Sequence, residues 1–238
     1  MSREGPDSLE HMREALRSEG MVAHPLKTRA PYLRGYEFHP DVVFDVGVGN
    51  GTNWLYRSFP DALFVLVDPQ SDCAESVRNK GILQDFHFHE IAAGSSSRDA
   101  LLTVPITKNG QDLGLAGLKL RVDNSDRAFL RCDRKKVEMK PLDDISRGYQ
   151  GALALSIDTE GSELDVLEGA SETLKRCEFV VLKVPVVRRF DGAGVPSQCI
   201  ARLAEAGLEM RDVISLGAGQ GKQARPRYMN MLFSRWAA

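Results

Sequence analysis

A buried-strand run, Val42-Val43-Phe44-Asp45-Val46, passes without a break into Gly47-Val48-Gly49-Asn50-Gly51, and this junction constrains the chain more than any other stretch. Consecutive β-branched and aromatic residues suit a strand covered on both faces. Glycines directly after it let the backbone turn sharply and let a ligand approach the main chain. Thr52 to Phe59 then reads as a helix ending before Pro60. Leu63-Phe64-Val65-Leu66-Val67-Asp68 reads as a second buried strand ending in a carboxylate, residues 71–80 as a helix, and Phe86 to Ile91 as a third strand. This alternation predicts an open parallel sheet with helices on both faces.

The rhythm resumes at Leu153-Ala154-Leu155-Ser156-Ile157-Asp158, a further strand. Ser162 to Leu174 carries Leu164, Leu167, Ala170 and Leu174 at helical spacing. Glu178 to Pro185 reads as a strand, Ser197 to Ala206 as a helix, and Leu208 to Leu216 and Tyr228 to Trp236 as a closing pair of strands. The expected fold is α/β: a Rossmann-like sheet of seven strands, mostly parallel, with the last strand antiparallel. Residues 1–40 read as a helix (Asp7 to Glu19) and a lead-in broken by Pro25, Pro31 and Pro40, either covering a pocket mouth or only packing. Residues 41–238 then form the main domain. Within it, about 95–136 is rich in Ser, Gly, Asp and Arg and reads as an insertion with short extra strands before the fourth core strand. Val137-Glu138-Met139 reads as a short strand ahead of Pro141.

Composition narrows the function classes. The 238 residues carry 31 Lys+Arg against 33 Asp+Glu, a net charge of −2, and a dedicated nucleic-acid binder is usually strongly basic. An apolar content of 42% is that of a globular protein. No apolar run approaches the roughly 20 residues of a spanning helix. The polar start, Met-Ser-Arg-Glu-Gly-Pro-Asp, is unlike a signal peptide. Cys73, Cys132, Cys177 and Cys199 are too few and too scattered for a disulfide scaffold. A cytoplasmic protein with no membrane span and no nucleic-acid partner is expected.

Glycines alone would serve any nucleotide-like cofactor, so the acids must discriminate. A dinucleotide's pyrophosphate favours G-x-G-x-x-G at a helix start, but here Thr52 takes the place of the third glycine. Asp45 stands just before the glycines, and Asp68 ends the next strand, where an acid can accept ribose hydroxyls. S-adenosylmethionine has no phosphate and carries a sulfonium and an ammonium, so nearby carboxylates attract it. Asp45, Gly47, Gly49, Asn50 and Asp68 are the candidate cofactor residues on this reasoning. A nicotinamide cofactor is the competing option.

A second acidic cluster, Ser156-Ile157-Asp158-Thr159-Glu160-Gly161-Ser162-Glu163, lies where the fourth core strand ends, at the edge that holds ligands in such sheets. Asp158 would lie closest to the transferred group and also reach the cofactor, with Glu160 on the following turn. Glu163 begins the next helix, where it suits the helix dipole. Asp158 and Glu160 are the candidate catalytic pair. They could take the proton from an acceptor hydroxyl, or hold Mg²⁺ through oxygen ligands, with the base favoured over the metal.

In these residues the chain resembles the FkbM family of S-adenosylmethionine-dependent methyltransferases over roughly residues 41–235. Asp45 to Gly51, Asp68-Pro69 and the Pro-Leu-Asp-Asp-Ile run at 141–145 carry part of the likeness. Its most discriminating part is Ile157-Asp158-Thr159-Glu160-Gly161-Ser162-Glu163-Leu164 followed by Val166-Leu167-Glu168-Gly169-Ala170. The resemblance implies a class I methyltransferase sheet, with Asp45, Gly47 and Gly49 at the cofactor, Asp68 at its ribose, and Asp158 and Glu160 at the reaction centre. It implies O-methylation of a sugar, glycan or natural-product hydroxyl, with N-methylation of a peptide or amine as the alternative. A non-catalytic S-adenosylmethionine-binding partner protein is a third option. Val48 replaces the family's usual Ala, and Lys183-Val184-Pro185 departs from its acidic fifth-strand ending, which bears on acceptor identity. The acceptor is expected to be a small molecule or glycan, and the oligomeric state is left open, a homodimer being one option.

Other features read as packing or solvated surface. His87 and His89 alternate on one strand face and lack a third metal ligand; His11, His24 and His39 stand alone. The basic run Arg131, Arg134, Lys135, Lys136 reads as solvated, or as facing an anionic acceptor. Leu216-Gly217-Ala218-Gly219-Gln220-Gly221, before Lys222, Arg225 and Arg227, reads as a hairpin connection with a basic rim.

Overall fold

The structure, a computed structural model, describes residues 6–122, 129–218 and 225–236. The chain opens with α1 (Pro6–Ser18) and a short α2 (Ala30–Arg34), then β1 (Val42–Val46), α3 (Asn53–Tyr56), β2 (Leu63–Val67), α4 (Asp72–Asn79) and β3 (Phe86–His89). Four strands follow in a separate sheet: β4 (Ala92–Ala93), β5 (Arg98–Thr107), β6 (Gly110–Gln111) and β7 (Arg131–Lys140), with a 3₁₀ turn at Leu113–Leu115. The second half runs α5 (Leu142–Ser146), β8 (Leu153–Ile157), α6 (Glu163–Glu168), α7 (Ser171–Arg176), β9 (Cys177–Pro185), α8 (Pro196–Glu205), β10 (Leu208–Ala218) and β11 (Pro226–Arg235).

The main sheet has seven strands in the order β10-β11-β9-β8-β1-β2-β3. β1 pairs in parallel with β2 and β8, β2 with β3, and β8 with β9; β11 alone runs antiparallel to both of its neighbours. Strand alternation divides the core between two faces. Val42, Phe44 and Val46 face Leu142, Val166, Leu167, Leu174 and Leu203 from α5 to α8. Val43 faces the other way, with Leu33, Leu55, Tyr56 and Val77 from α2, α3 and α4. The expected seven-stranded, mostly parallel sheet is the observed one.

Several boundaries differ, each for a physical reason. The helix expected over Ser162 to Leu174 is two helices, broken at Gly169-Ala170. A Cβ on Gly169 would stand 2.0 Å from Gly94 O, so this break seats one backbone against another. The helix expected over Thr52 to Phe59 keeps only Asn53–Tyr56. The short strands expected within 95–136 are two ten-residue strands, β5 and β7, paired from Arg98↔Met139 to Ile106↔Arg131. The small sheet, ordered β4-β7-β5-β6, buries Leu102, Val104 and Met139 on one face.

The lead-in packs. Leu33 is buried, Phe38 stacks on Phe179 at 4.7 Å between centroids, and Lys27 pairs with Asp212 on β10 at 2.6 Å. Of the Gly-rich connection, Leu216 to Ala218 belong to β10; residues 219–224, including Lys222, lie outside the described residues. Among the described residues no helix is long and apolar enough to cross a membrane.

Candidate active site

The sheet order reverses between β1 and β8, and such a switch point leaves a crevice beyond the strands' carboxyl ends. A cavity of about 250 Å³ lies there. The sheet supplies Gly47 to Thr52, Asp68 to Gln70, Asp158 to Glu160 and Ser162 to its wall; the small sheet adds Leu102, and its loop adds Leu113, Gly114 and 116–118. No residue of the 21–40 lead-in lines it.

Gly47 must be glycine. Its φ is +82°, and a Cβ there would stand 2.0 Å from Asp158 O, so the β1 and β8 ends meet backbone to backbone. Gly49 N–H donates to Asp68 Oδ2 at 3.2 Å, and Gln70 N–H to Asp68 Oδ1 at 2.9 Å. Asp68 therefore ties the glycine turn to the end of β2. Burial raises its carboxyl above the usual range, against the pull of those amides. Asn50 lines the cavity, its side-chain oxygen accepting from Ser76 Oγ at 3.2 Å. Gln70 reaches the small sheet, donating to Leu113 O at 3.1 Å and accepting from Gln111 Nε2 at 3.1 Å.

Asp45 behaves differently from its expected place at the cofactor. Alternation along β1 turns it toward α3, where Tyr56 OH donates to it at 2.7 Å and Thr52 Oγ1 at 3.2 Å. It is 1% exposed and is not part of the cavity wall. Burial pushes its carboxyl up to about 6 despite these hydrogen bonds. Asp45 braces the glycine turn from beneath.

Asp158 and Glu160 come together, as the sequence suggested, but around a third residue. Lys183, on β9, places its ammonium 2.8 Å from Asp158 Oδ1 and 2.9 Å from Glu160 Oε1. Glu160 Oε2 also meets Arg121 at 2.5 Å and Arg189 at 3.2 Å. Although burial opposes it, these cations hold the Glu160 carboxyl below its usual range. Glu160 is thus a saturated counter-ion and is unsuited to take a proton, which corrects its reading as a base. Asp158 keeps 43% of its side-chain surface open while walled in by the cavity, and enclosure raises its carboxyl against the pull of Lys183. Burial works against the lysine's charge, yet the two carboxylates carry its ammonium above the usual range.

The same geometry bears on Mg²⁺. The space between the two carboxylates is filled by the Lys183 ammonium, so the pair does not fit a divalent cation. Among the described residues no group of three or more His, Cys, Asp or Glu side chains is arranged to hold a metal.

Glu163 does more than complement a helix dipole. Its Oε1 accepts from Gly161 N–H at 3.0 Å and Thr159 N–H at 3.2 Å, clamping the turn that carries Asp158 and Glu160. That turn is strained: Glu160 has φ +51°. Burial lifts the Glu163 carboxyl to about 7. Ser162, which the sequence marked only as a helix start, lines the cavity, is 2% exposed, and has no hydrogen-bond partner for its Oγ among the described residues.

Sequence reasoning missed Lys183 as a site residue, although its departure from an acidic strand ending was visible. It also missed Arg121, Arg189 and Gln70, whose roles depend on contacts far along the chain. His87 and His89 meet on one face as expected, with His87 Nδ1 and His89 Nε2 each 3.0 Å from Tyr149 OH, away from the cavity.

Comparison with known proteins yields one decisive match. Residues 45–215 match the Methyltransferase FkbM domain. No curated protein matches the chain. Among solved structures it is similar to magnesium protoporphyrin IX methyltransferase from Synechocystis PCC 6803 with bound SAM, with a TM-score of 0.45 and 10% identity over 99% of this chain and 87% of that one. It is also similar to an S-adenosylmethionine-dependent methyltransferase from Clostridium acetobutylicum, with a TM-score of 0.45 and 10% identity over 97% and 99% of the two chains. With the domain spanning β1 to β10, the chain belongs to the FkbM methyltransferase domain family.

Proposed function

We propose that the protein transfers a methyl group from S-adenosylmethionine to a hydroxyl of a small molecule or glycan. One observation carries the reading. The central cavity is lined by Asp68, Asp158 and Glu160, with no lysine or arginine in its wall among the described residues. Asp68, at the glycine turn and held by amides with no cationic partner among the described residues, favours a cationic ligand over a pyrophosphate there. Gly47, Gly49 and Asn50 would hold the cofactor from the β1 turn, Asp68 would accept its ribose hydroxyls, and Asp158 would face its reactive end.

S-adenosylmethionine supplies an electrophilic methyl group when bound. The protein's own work is alignment in an enclosed site and removal of the acceptor's proton. Asp158 takes that proton on a carboxylate oxygen. Its raised carboxyl makes it a better proton acceptor than an exposed aspartate, and Glu160 stays ionised beneath the cations around it. Lys183 keeps its own proton and fixes Asp158 in place.

Calorimetric titration with S-adenosylhomocysteine and with NADH tests the donor. Binding of the first alone is the expected result, and binding of NADH alone overturns the reading. A panel of hydroxylated acceptors, assayed by mass spectrometry for gain of one methylene, then tests O-methylation.

A further inference from the structure

A second cavity, of about 400 Å³, lies on the outward face of the small sheet and carries the opposite charge. Lys119, Arg121 and Arg134 line it beside Phe129 and Phe190, and among the described residues its wall contains no Asp or Glu. The central cavity has acidic residues and, among the described residues, no Lys or Arg in its wall. Strand alternation explains how the basic run contributes. Arg134 and Cys132 face the cavity with Thr103 and Pro105, their register partners on β5, whereas Arg131 pairs with Asp133 at 3.0 Å.

The two cavities adjoin. Gly117 lines both, and a Cβ there would stand 2.9 Å from Glu160 O, so the partition is one backbone thick. Arg121 crosses it. Its guanidinium lies 4.8 Å from the Phe190 ring centroid on the outer side and reaches Glu160, which lines the central cavity. Lys119 is steadied by Asp165 at 2.9 Å, while Arg134 is exposed and has no ion pair among the described residues.

We infer that the outer cavity binds an anionic group, phosphate or carboxylate, on the methyl acceptor, with an apolar or ring face of that molecule against Phe129 and Phe190. The inference rests on the methyltransferase reading and names the acceptor's chemical class. Charge sorts the groups: the cationic donor and the acceptor's reactive hydroxyl meet at Asp158 in the central cavity, and the acceptor's anionic end lies among the basic residues of the outer one. Arginine guanidinium planes match phosphate and carboxylate by paired hydrogen bonds and also stack on rings.

Cys132 provides the readout, because it lines this cavity and is the one exposed thiol of the chain's four. Its modification by N-ethylmaleimide is followed with glucose 1-phosphate, glucuronate or glucose present, and S-adenosylhomocysteine binding is titrated on the same sample. At least one anionic sugar is expected to slow modification about tenfold at saturation, as charge-assisted hydrogen bonds allow. Glucose is expected to give no protection, and the anion that protects tells phosphate from carboxylate. Arg134→Glu should abolish protection and leave S-adenosylhomocysteine affinity unchanged. Equal modification rates with all three sugars, while S-adenosylhomocysteine still binds, overturn this inference alone. Failure of S-adenosylhomocysteine to bind overturns the donor reading and the acceptor role with it.

Discussion

The Lys183 ammonium lies 2.8 Å from Asp158 Oδ1, so the carboxylate proposed to take the acceptor's proton is held by a cation that keeps its own. Removing that cation disfavours ionised Asp158. Lys183→Met should therefore move the acidic limb of the pH profile of kcat/KM to higher pH, and lower kcat/KM at neutral pH by about tenfold or more. Breaking the buried Lys183–Glu160 pair should also destabilise the fold by about 3 kcal/mol, read by urea denaturation. Lys183→Arg should restore much of the pH profile. An unmoved acidic limb in Lys183→Met would remove Asp158 from the role of base.

Gly47 makes a sharper test of the backbone contact. Gly47→Ala would drive a Cβ to 2.0 Å from Asp158 O at φ +82°. The expected outcome is a loss of about 2–4 kcal/mol of stability and no measurable S-adenosylhomocysteine binding. Gly110→Ala is the control. Its φ is +98° with nothing within 4 Å, so a cost of about 1 kcal/mol with binding retained is expected.

Ser162 separates binding from stability. Its buried hydroxyl has no partner among the described residues, so Ser162→Ala should leave the melting temperature unchanged or slightly raised. If that hydroxyl serves a bound ligand, affinity for donor or acceptor should fall about tenfold. Unchanged affinity for both ligands would make Ser162 a packing residue only.

Asp45 and Glu163 should give folding stability an unusual slope. Burial raises their carboxyls to about 6 and about 7, above their unfolded values. A raised carboxyl contributes stability that is full below the unfolded pKa and is lost as pH rises through the folded one. The chain should thus lose up to about 2 kcal/mol per group between pH 5 and pH 8. His89, whose ring burial holds below its ordinary value, works oppositely: stability falls as pH drops below about 6.5. Glu163→Gln keeps the one oxygen that accepts from Thr159 and Gly161, Asp45→Asn keeps one of the two that accept from Tyr56 and Thr52, and both should flatten the carboxyl slope. Urea denaturation across this range measures it, and an unaltered slope in both variants would contradict the assignment.

The glycine-turn side of the cavity was legible because its determinants are local. Gly47, Gly49 and Asp68 follow directly from strand ends, and strand ends follow from apolar runs such as Leu63 to Val67. Asp158 and Glu160 were legible as a pair for the same reason. Their roles were not, because Lys183, Arg121 and Arg189 approach from β9, from the small sheet's loop and from the segment after β9. Asp45 misled because nothing in its spacing tells a carboxylate above the turn from one beneath it; Tyr56 decides that, and its contact needs the fold. β7 was underestimated because Arg131-Cys132-Asp133-Arg134-Lys135-Lys136 is polar on both faces, so the period of two leaves no apolar trace.

Gln70 gives the molecule a mechanical property. Its side chain joins the turn after β2, two residues beyond Asp68, to Leu113 and Gln111, fastening the small sheet to the wall of the central cavity. A scanning calorimeter should then record a single endotherm, because neither sheet can melt without stripping hydrogen bonds from the other. The same stitch sets a rule for grafting: a chimera exchanging 98–122 for another loop set must retain partners for Gln70, or lose cooperativity before it changes selectivity.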